Sequence, residues 1–312
     1  MATAVVVLIG CTPSSARYAN TAPLTSRLPD LPVIAQGVSS ANREHRFRSW
    51  QWDFSRMRQV FNTVSLLPGD PAVVAAARSA GLAVVLEFDY KSEFFAGEDI
   101  SGKVRRVADQ IRAHPGTVAA IHVADRLNEK YSAAEGLRYL AATGGVLHRL
   151  VPGIPVFVNA PDWQLTCGLP GQASCGSHGS EYQYETDATL DAFRDSGYVD
   201  GLSIADDLKN FDAAAQQIAW QRARSHWPAP FPLWATCSQL SFGAERYIGS
   251  PPAAQAVSAY MTAPVRGGAD GLALWAWHQQ YEDAVDTFLN KDGSPNAIWD
   301  AMRTAAGDLG RA

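Results

Sequence analysis

Eight short runs of apolar and β-branched residues recur along the chain, each followed by a stretch with helical spacing, and this alternation limits the fold more than any other feature. The runs are PVIAQGV (32–38), NTVSLL (62–67), LAVVLEF (82–88), TVAAIHV (117–123), IPVFVNA (154–160), DGLSIAD (200–206), PLWATCS (232–238) and GLALWAW (271–277). Between them lie segments such as DPAVVAAARSAG (70–81), SGKVRRVADQIRAHPG (101–116), SAAEGLRYLAATGGVLHRLVPG (132–153) and FDAAAQQIAWQRARSHWP (211–228). Gly81, the HPG at 114–116 and the VPG at 151–153 are helix stop signals. Strands that alternate with helices pair in parallel through βα units, and eight of them close a (β/α)8 TIM barrel. A doubly wound open sheet would carry a Gly-rich turn after its first strand, and GVSSANREH is not one. No internal repeat or second domain interrupts the pattern, so one α/β barrel is expected over residues 31–312.

Composition narrows the partners. A net charge of −5 offers no basic face for nucleic acid. No run of about 18 apolar residues is present to span a bilayer. Residues 1–30 read as signal and tether, and MATAVVVLIGC resembles the lipobox of bacterial lipoproteins. That resemblance implies export, a lipid anchor on Cys11 and a cell-surface or extracellular location, with membrane contact only through that anchor. Cys167 and Cys175 lie in the short loop TCGLPGQASCG, which suits a disulfide in an oxidising compartment, while Cys237 is left over. The alternative is a chance Cys11 on a disordered tail or first strand.

Barrel enzymes carry their chemistry at the C-terminal ends of the strands. Those ends supply Gln36, Glu87 with Asp89 and Tyr90, Asp125 with Asn128 and Glu129, Asn159 with Trp163, Asp206 with Asp207, and Trp277 with His278. In AVVLEFD, Ala83, Val85 and Glu87 share one face while Val84, Leu86 and Phe88 share the other, which points Glu87 into the barrel. A buried carboxyl group there is either functional or held by a neighbour such as His122. Ser132, with Glu135 three residues on, is the better helix N-cap in DRLNEKYSAAEG, so residues 125–131 read as a loop on the rim.

Several chemistries lack their residues. There is no HxH on the first run, no HExxH, no phosphate loop after the seventh run and no GxSxG elbow, so neither metal nor cofactor is expected. Paired carboxylates in a cleft lined by Trp and Tyr are the apparatus of glycoside hydrolysis. Trp50, Trp52, Tyr90, Trp163, Trp275 and Trp277 could offer apolar faces to sugar rings, with Asp89, Gln36, Asn159 and His278 as polar contacts. GADGLALWAWHQ and VAAIHVADRLNE resemble the last and fourth strands of TIM-barrel glycoside hydrolases. In one clan of that superfamily an Asn-Glu pair follows strand four, echoed by Asn128 and Glu129, but WATCSQ has no Glu for strand seven. A second, α-galactosidase-like clan implies Asp125 as nucleophile with Asp206 or Asp207 as acid/base, and this mapping loses fewer residues. The leading expectation is an exported glycoside hydrolase acting on a carbohydrate. Two alternatives stay open: a non-catalytic carbohydrate-binding lipoprotein, and a cytoplasmic barrel lyase or isomerase using Glu87 and His278.

Overall fold

The computed structural model of the chain describes residues 29–38, 49–161, 183–206, 213–237, 254–274 and 294–309. Eight strands close into one barrel in sequence order: β1 (Val33–Val38), β2 (Thr63–Leu66), β3 (Ala83–Glu87), β4 (Val118–His122), β5 (Val156–Pro161), β6 (Gly201–Asp206), β7 (Leu233–Cys237) and β8 (Gly271–Leu274). Every neighbouring pair is parallel, and β8 returns to β1 with Val33 opposite Leu272. The single (β/α)8 barrel expected from the alternation is what the chain forms.

Helices α1 (Trp50–Met57), α2 (Pro71–Ser79), α3 (Lys91–Phe95), α4 (Ser101–Ala113), α5 (Leu127–Lys130), α6 (Ala133–Ala142) and α7 (Gly144–Leu150) belong to the first half of the chain. They are followed by α8 (Asp187–Asp195), α9 (Ala213–His226), α10 (Ala254–Gly267) and α11 (Ala297–Asp308). Their outer-layer packing follows from helical spacing: α4 buries Val104, Val107, Ala108 and Ile111, one stripe facing the strands. Asp70 caps α2 through the Ala72 amide, with Pro71 at the first helical position. Ser132 and Glu135 form the expected capping box at the start of α6.

Two local expectations are corrected. The helical stretch 132–153 is two helices, because the Thr143 hydroxyl bonds back to the Tyr139 carbonyl at 2.9 Å and the chain bends there. Gly144 then passes so close to Tyr198 that a Cβ would lie 2.1 Å from its carbonyl oxygen. The 125–131 loop contains the single turn α5, entered through Arg126 in the left-handed region at φ 50°.

Alternation along each strand divides the core in two. Val84, Leu86, Ile121, Val158 and Leu202 face the helices as part of the large outer core. Ile34, Val85, Ala120, Phe157, Trp234 and Ala273 form a separate cluster inside the barrel. Phe157 and Trp234 stack there with centroids 3.7 Å apart and planes at 18°. Two glycines make room for them: a Cβ on Gly201 would sit 2.3 Å from the Phe157 ring, and one on Gly271 would sit 2.7 Å from Trp234.

Candidate active site

Two residues beyond the apolar plug, the inward positions turn polar. Taken along the strands they include Gln36, Glu87, His122, Asn159 and Thr236, with Ser65 and Ser203 from β2 and β6. Because a barrel interior is filled by such layers, this tier is the floor of the C-terminal mouth.

Glu87 is the last residue of β3 and is set inside the barrel, as its alternation requires. Its Oε2 accepts a hydrogen bond from Ser65 Oγ at 2.5 Å. The side chain keeps a partial opening, but the surrounding barrel wall desolvates it. That burial, opposed by the Ser65 bond and reinforced by the charges of Asp125 and Asp89, raises its pKa from 4.5 to about 7. His122 is opposite Glu87 in the β3–β4 register, but it is not the partner that holds the carboxyl group. The His122 ring lies 5.6 Å from Trp234 and 6.0 Å from Phe157, centroid to centroid, and neither ring nitrogen has a hydrogen-bond partner among the described residues. Burial pushes its pKa down to about 4, so the imidazole is neutral at pH 7.

The loop after β3 meets the loop after β4. Asp89 pairs with Lys91 and accepts a bond from the Asp125 amide at 3.3 Å, while Lys91 Nζ donates to the Asp125 carbonyl oxygen at 2.5 Å. Asp125 therefore stands at the mouth on a braced backbone, its own surface open to solvent but walled by protein on its flanks. The protein around it raises its pKa, opposed by Lys91 and Arg126 and reinforced by Asp89 and Glu129. Glu129 faces Arg126, with Oε2 3.6 Å from Nε. Asn128 is fully buried and donates to the Pro161 carbonyl at 2.9 Å, tying α5 to the end of β5. Asn159 is buried on β5 and donates to Thr236 Oγ1 at 3.2 Å, which lies 2.5 Å from Ser203 Oγ. The Asn159 Oδ1 has no hydrogen-bond partner among the described residues.

The structure thus brings Glu87, Asp89 and Asp125 together, with Asn159 and Gln36 on the same inner wall. Tyr90 is placed differently from expectation. Its ring stacks on Phe88 at 4.8 Å, with Lys103 Nζ 5.3 Å above it, so it packs on the helix side of β3. Trp50 stacks on Phe54 within α1, at 5.4 Å. Asp206 closes β6 opposite Cys237 of β7, and only its backbone is described. Cys11, Trp163, Cys167, Cys175, Asp207, Trp275, Trp277 and His278 lie outside the described residues. Ser65, Lys91, Ser203 and Thr236 were not singled out from sequence. The signal for three of them is positional: each is two residues beyond a lower inward position of its strand.

No family model and no curated protein matches the chain. Solved structures do match its fold. The exo-beta-1,4-mannosidase Op5Man5 from Opitutaceae bacterium strain TAV5 superposes with a TM-score of 0.61 at 12% identity, covering 89% of this chain and 59% of that one. A family 39 glycoside hydrolase from Bacteroides cellulosilyticus WH2 gives 0.59 at 13% identity, covering 91% and 64%. A GH5_18 protein from Streptomyces cattleya in complex with GlcNAc gives 0.62 at 13% identity, covering 89% and 80%. The chain therefore spans about three fifths of the length of the first two. At these identities the likeness is one of fold alone, the closed (β/α)8 barrel.

Proposed function

We propose that this chain is a glycoside hydrolase in which Glu87 is the proton donor and Asp125 the ionised partner carboxylate. The observation that carries the reading is a carboxyl group inside the barrel mouth that holds its proton to about pH 7 beside Asp125 and Asp89. Glycoside cleavage needs such a division of labour between two carboxyl groups. Protonated Glu87 gives its proton to the leaving oxygen as the glycosidic C–O bond breaks. Asp125, its pKa raised by burial against the opposing charges of Lys91 and Arg126, is the carboxylate that faces the positive charge developing on the sugar ring, and water then supplies the new hydroxyl and returns a proton to Glu87. Asp206 or Asp207, after β6, is the positional alternative for the second carboxylate, one strand beyond β5. The fold shared with a structure holding GlcNAc supports a carbohydrate substrate.

A second reading, sugar binding without catalysis, is favoured by β7, which ends in Thr236 and Cys237 with no carboxylate. A panel of aryl glycosides separates the two. Hydrolysis is expected, with a rate that falls as pH rises through about 7, because only protonated Glu87 can donate. Binding of sugars with no turnover of any glycoside would establish the second reading instead.

We also propose export, with lipid carried on Cys11, supported by the VVVLIGC run. Metabolic labelling with an alkyne fatty acid should mark the parent protein and not its Cys11→Ala variant; equal labelling of both would end this proposal.

A further inference from the structure

The inner tier holds polar atoms without hydrogen-bond partners among the described residues. Both ring nitrogens of His122 are unbonded although the residue is only 1% exposed, and so is Oδ1 of Asn159, at 3%. A neutral imidazole offers one donor and one acceptor, and the amide carbonyl offers a further acceptor. Hydroxyl groups, each both donor and acceptor, satisfy that set. A carboxylate could bond only the single imidazole donor and would leave both acceptors unanswered.

The surroundings select in the same direction. Glu87 is the register neighbour of His122, and Asp89 and Asp125 lie close enough to raise its pKa. Lys91 is engaged by Asp89 and by the Asp125 carbonyl oxygen. An anionic ligand would meet like charge at this floor with no described cation committed to it.

We propose that His122 and Asn159 form the floor of a sugar subsite that takes the hydroxyl groups of a neutral ring, directly or through one water, and rejects the corresponding uronate. The inference rests on the reading of the mouth as a carbohydrate site and adds the class of sugar. The Phe157–Trp234 stack lies beside the imidazole, with ring centroids 6.0 and 5.6 Å from that of His122.

Isothermal titration of the full chain with glucose, galactose and mannose, and with glucuronate and galacturonate, tests it. At least one neutral sugar should bind, with its uronate weaker by at least about tenfold, as expected of a site built around substrate hydroxyls. His122→Phe and Asn159→Leu should each weaken that binding by about tenfold or more; His122→Phe should do so without lowering the melting temperature, because the imidazole has no hydrogen-bond partner among the described residues, whereas Asn159→Leu should also lower it, because the amide nitrogen donates to Thr236. His122→Gln, which keeps a donor and an acceptor, should retain more of the affinity than His122→Phe.

Equal affinity for the uronate, undiminished binding by the variants, or no binding of any neutral sugar overturns the inference. So does a fall in melting temperature in His122→Phe, which would mark the imidazole as internally bonded structure. Neutral-sugar binding with the expected losses, but no hydrolysis of any glycoside, would leave this inference standing and remove only the catalytic reading.

Discussion

Glu87→Gln should lower glycoside turnover by about 10²- to 10⁴-fold, the usual contribution of a positioned general acid, while making the chain more stable above neutral pH. Glutamine keeps the shape of the side chain and an oxygen for the Ser65 hydroxyl, but it has no proton to give. The stability effect follows from linkage. In the unfolded chain this carboxyl titrates near 4.5, and in the folded barrel near 7. Below pH 4.5 both states hold the proton and the native form loses nothing. As pH rises toward 7 only the unfolded state releases it, so native stability falls, by an amount on the order of 3 kcal/mol once the folded group ionises too. The variant escapes that loss. Its melting temperature should match the parent's near pH 4.5 and exceed it at pH 8. Turnover within tenfold of the parent would remove Glu87 from the donor role. A melting difference that stays constant with pH would show a carboxyl group that ionises freely.

The contrast between what was readable in the sequence and what was not follows the range of the interactions. The strands and the capped helices are short-range patterns: a period of two, a period near 3.6, and punctuation at Gly81, Gly116 and Gly153, all of which take positive φ. Closure of the barrel follows from counting them. The position of Glu87 was also legible, because alternation within one strand decides it. Its partner was not, since Ser65 lies 22 residues away on β2 and only the register of β2 against β3 brings the two together. His122, the nearer candidate by chemistry, meets Glu87 in register without bonding to it. Tyr90 illustrates the ambiguity of an aromatic residue just past a strand end. It can turn inward to a ligand or outward to the helices, and contact with Phe88 and Lys103 turns it outward. The polar tier emerges only when all strands are aligned, because a single Asn or Thr in an apolar run carries no sign of the ring it completes.

Trp234→Ala should be the most damaging single change inside the barrel, costing about 3–5 kcal/mol, in the range of buried aromatic truncations. Trp234 is 1% exposed, stacks on Phe157 and fits over Gly271, so its removal opens a cavity at the centre of the plug. For a chain of this size the melting temperature should fall by on the order of 10 °C. Stability alone would not connect the plug to the site, since any buried Trp is costly to remove. Trp220 on α9 is the control: it is 2% exposed and belongs to the outer core, away from the lumen. Both alanine variants should be destabilised to a similar degree, yet only Trp234→Ala should weaken sugar binding measured well below its melting temperature. The His122 ring rests 5.6 Å from the Trp234 ring and Asn159 bonds to Thr236 two residues further along β7, so both lose their support when the indole is removed. Equal binding by the two variants would show that the polar tier is held by the strand backbones alone. Binding lost only with Trp234 would make the aromatic plug the foundation of the site as well as the core of the barrel.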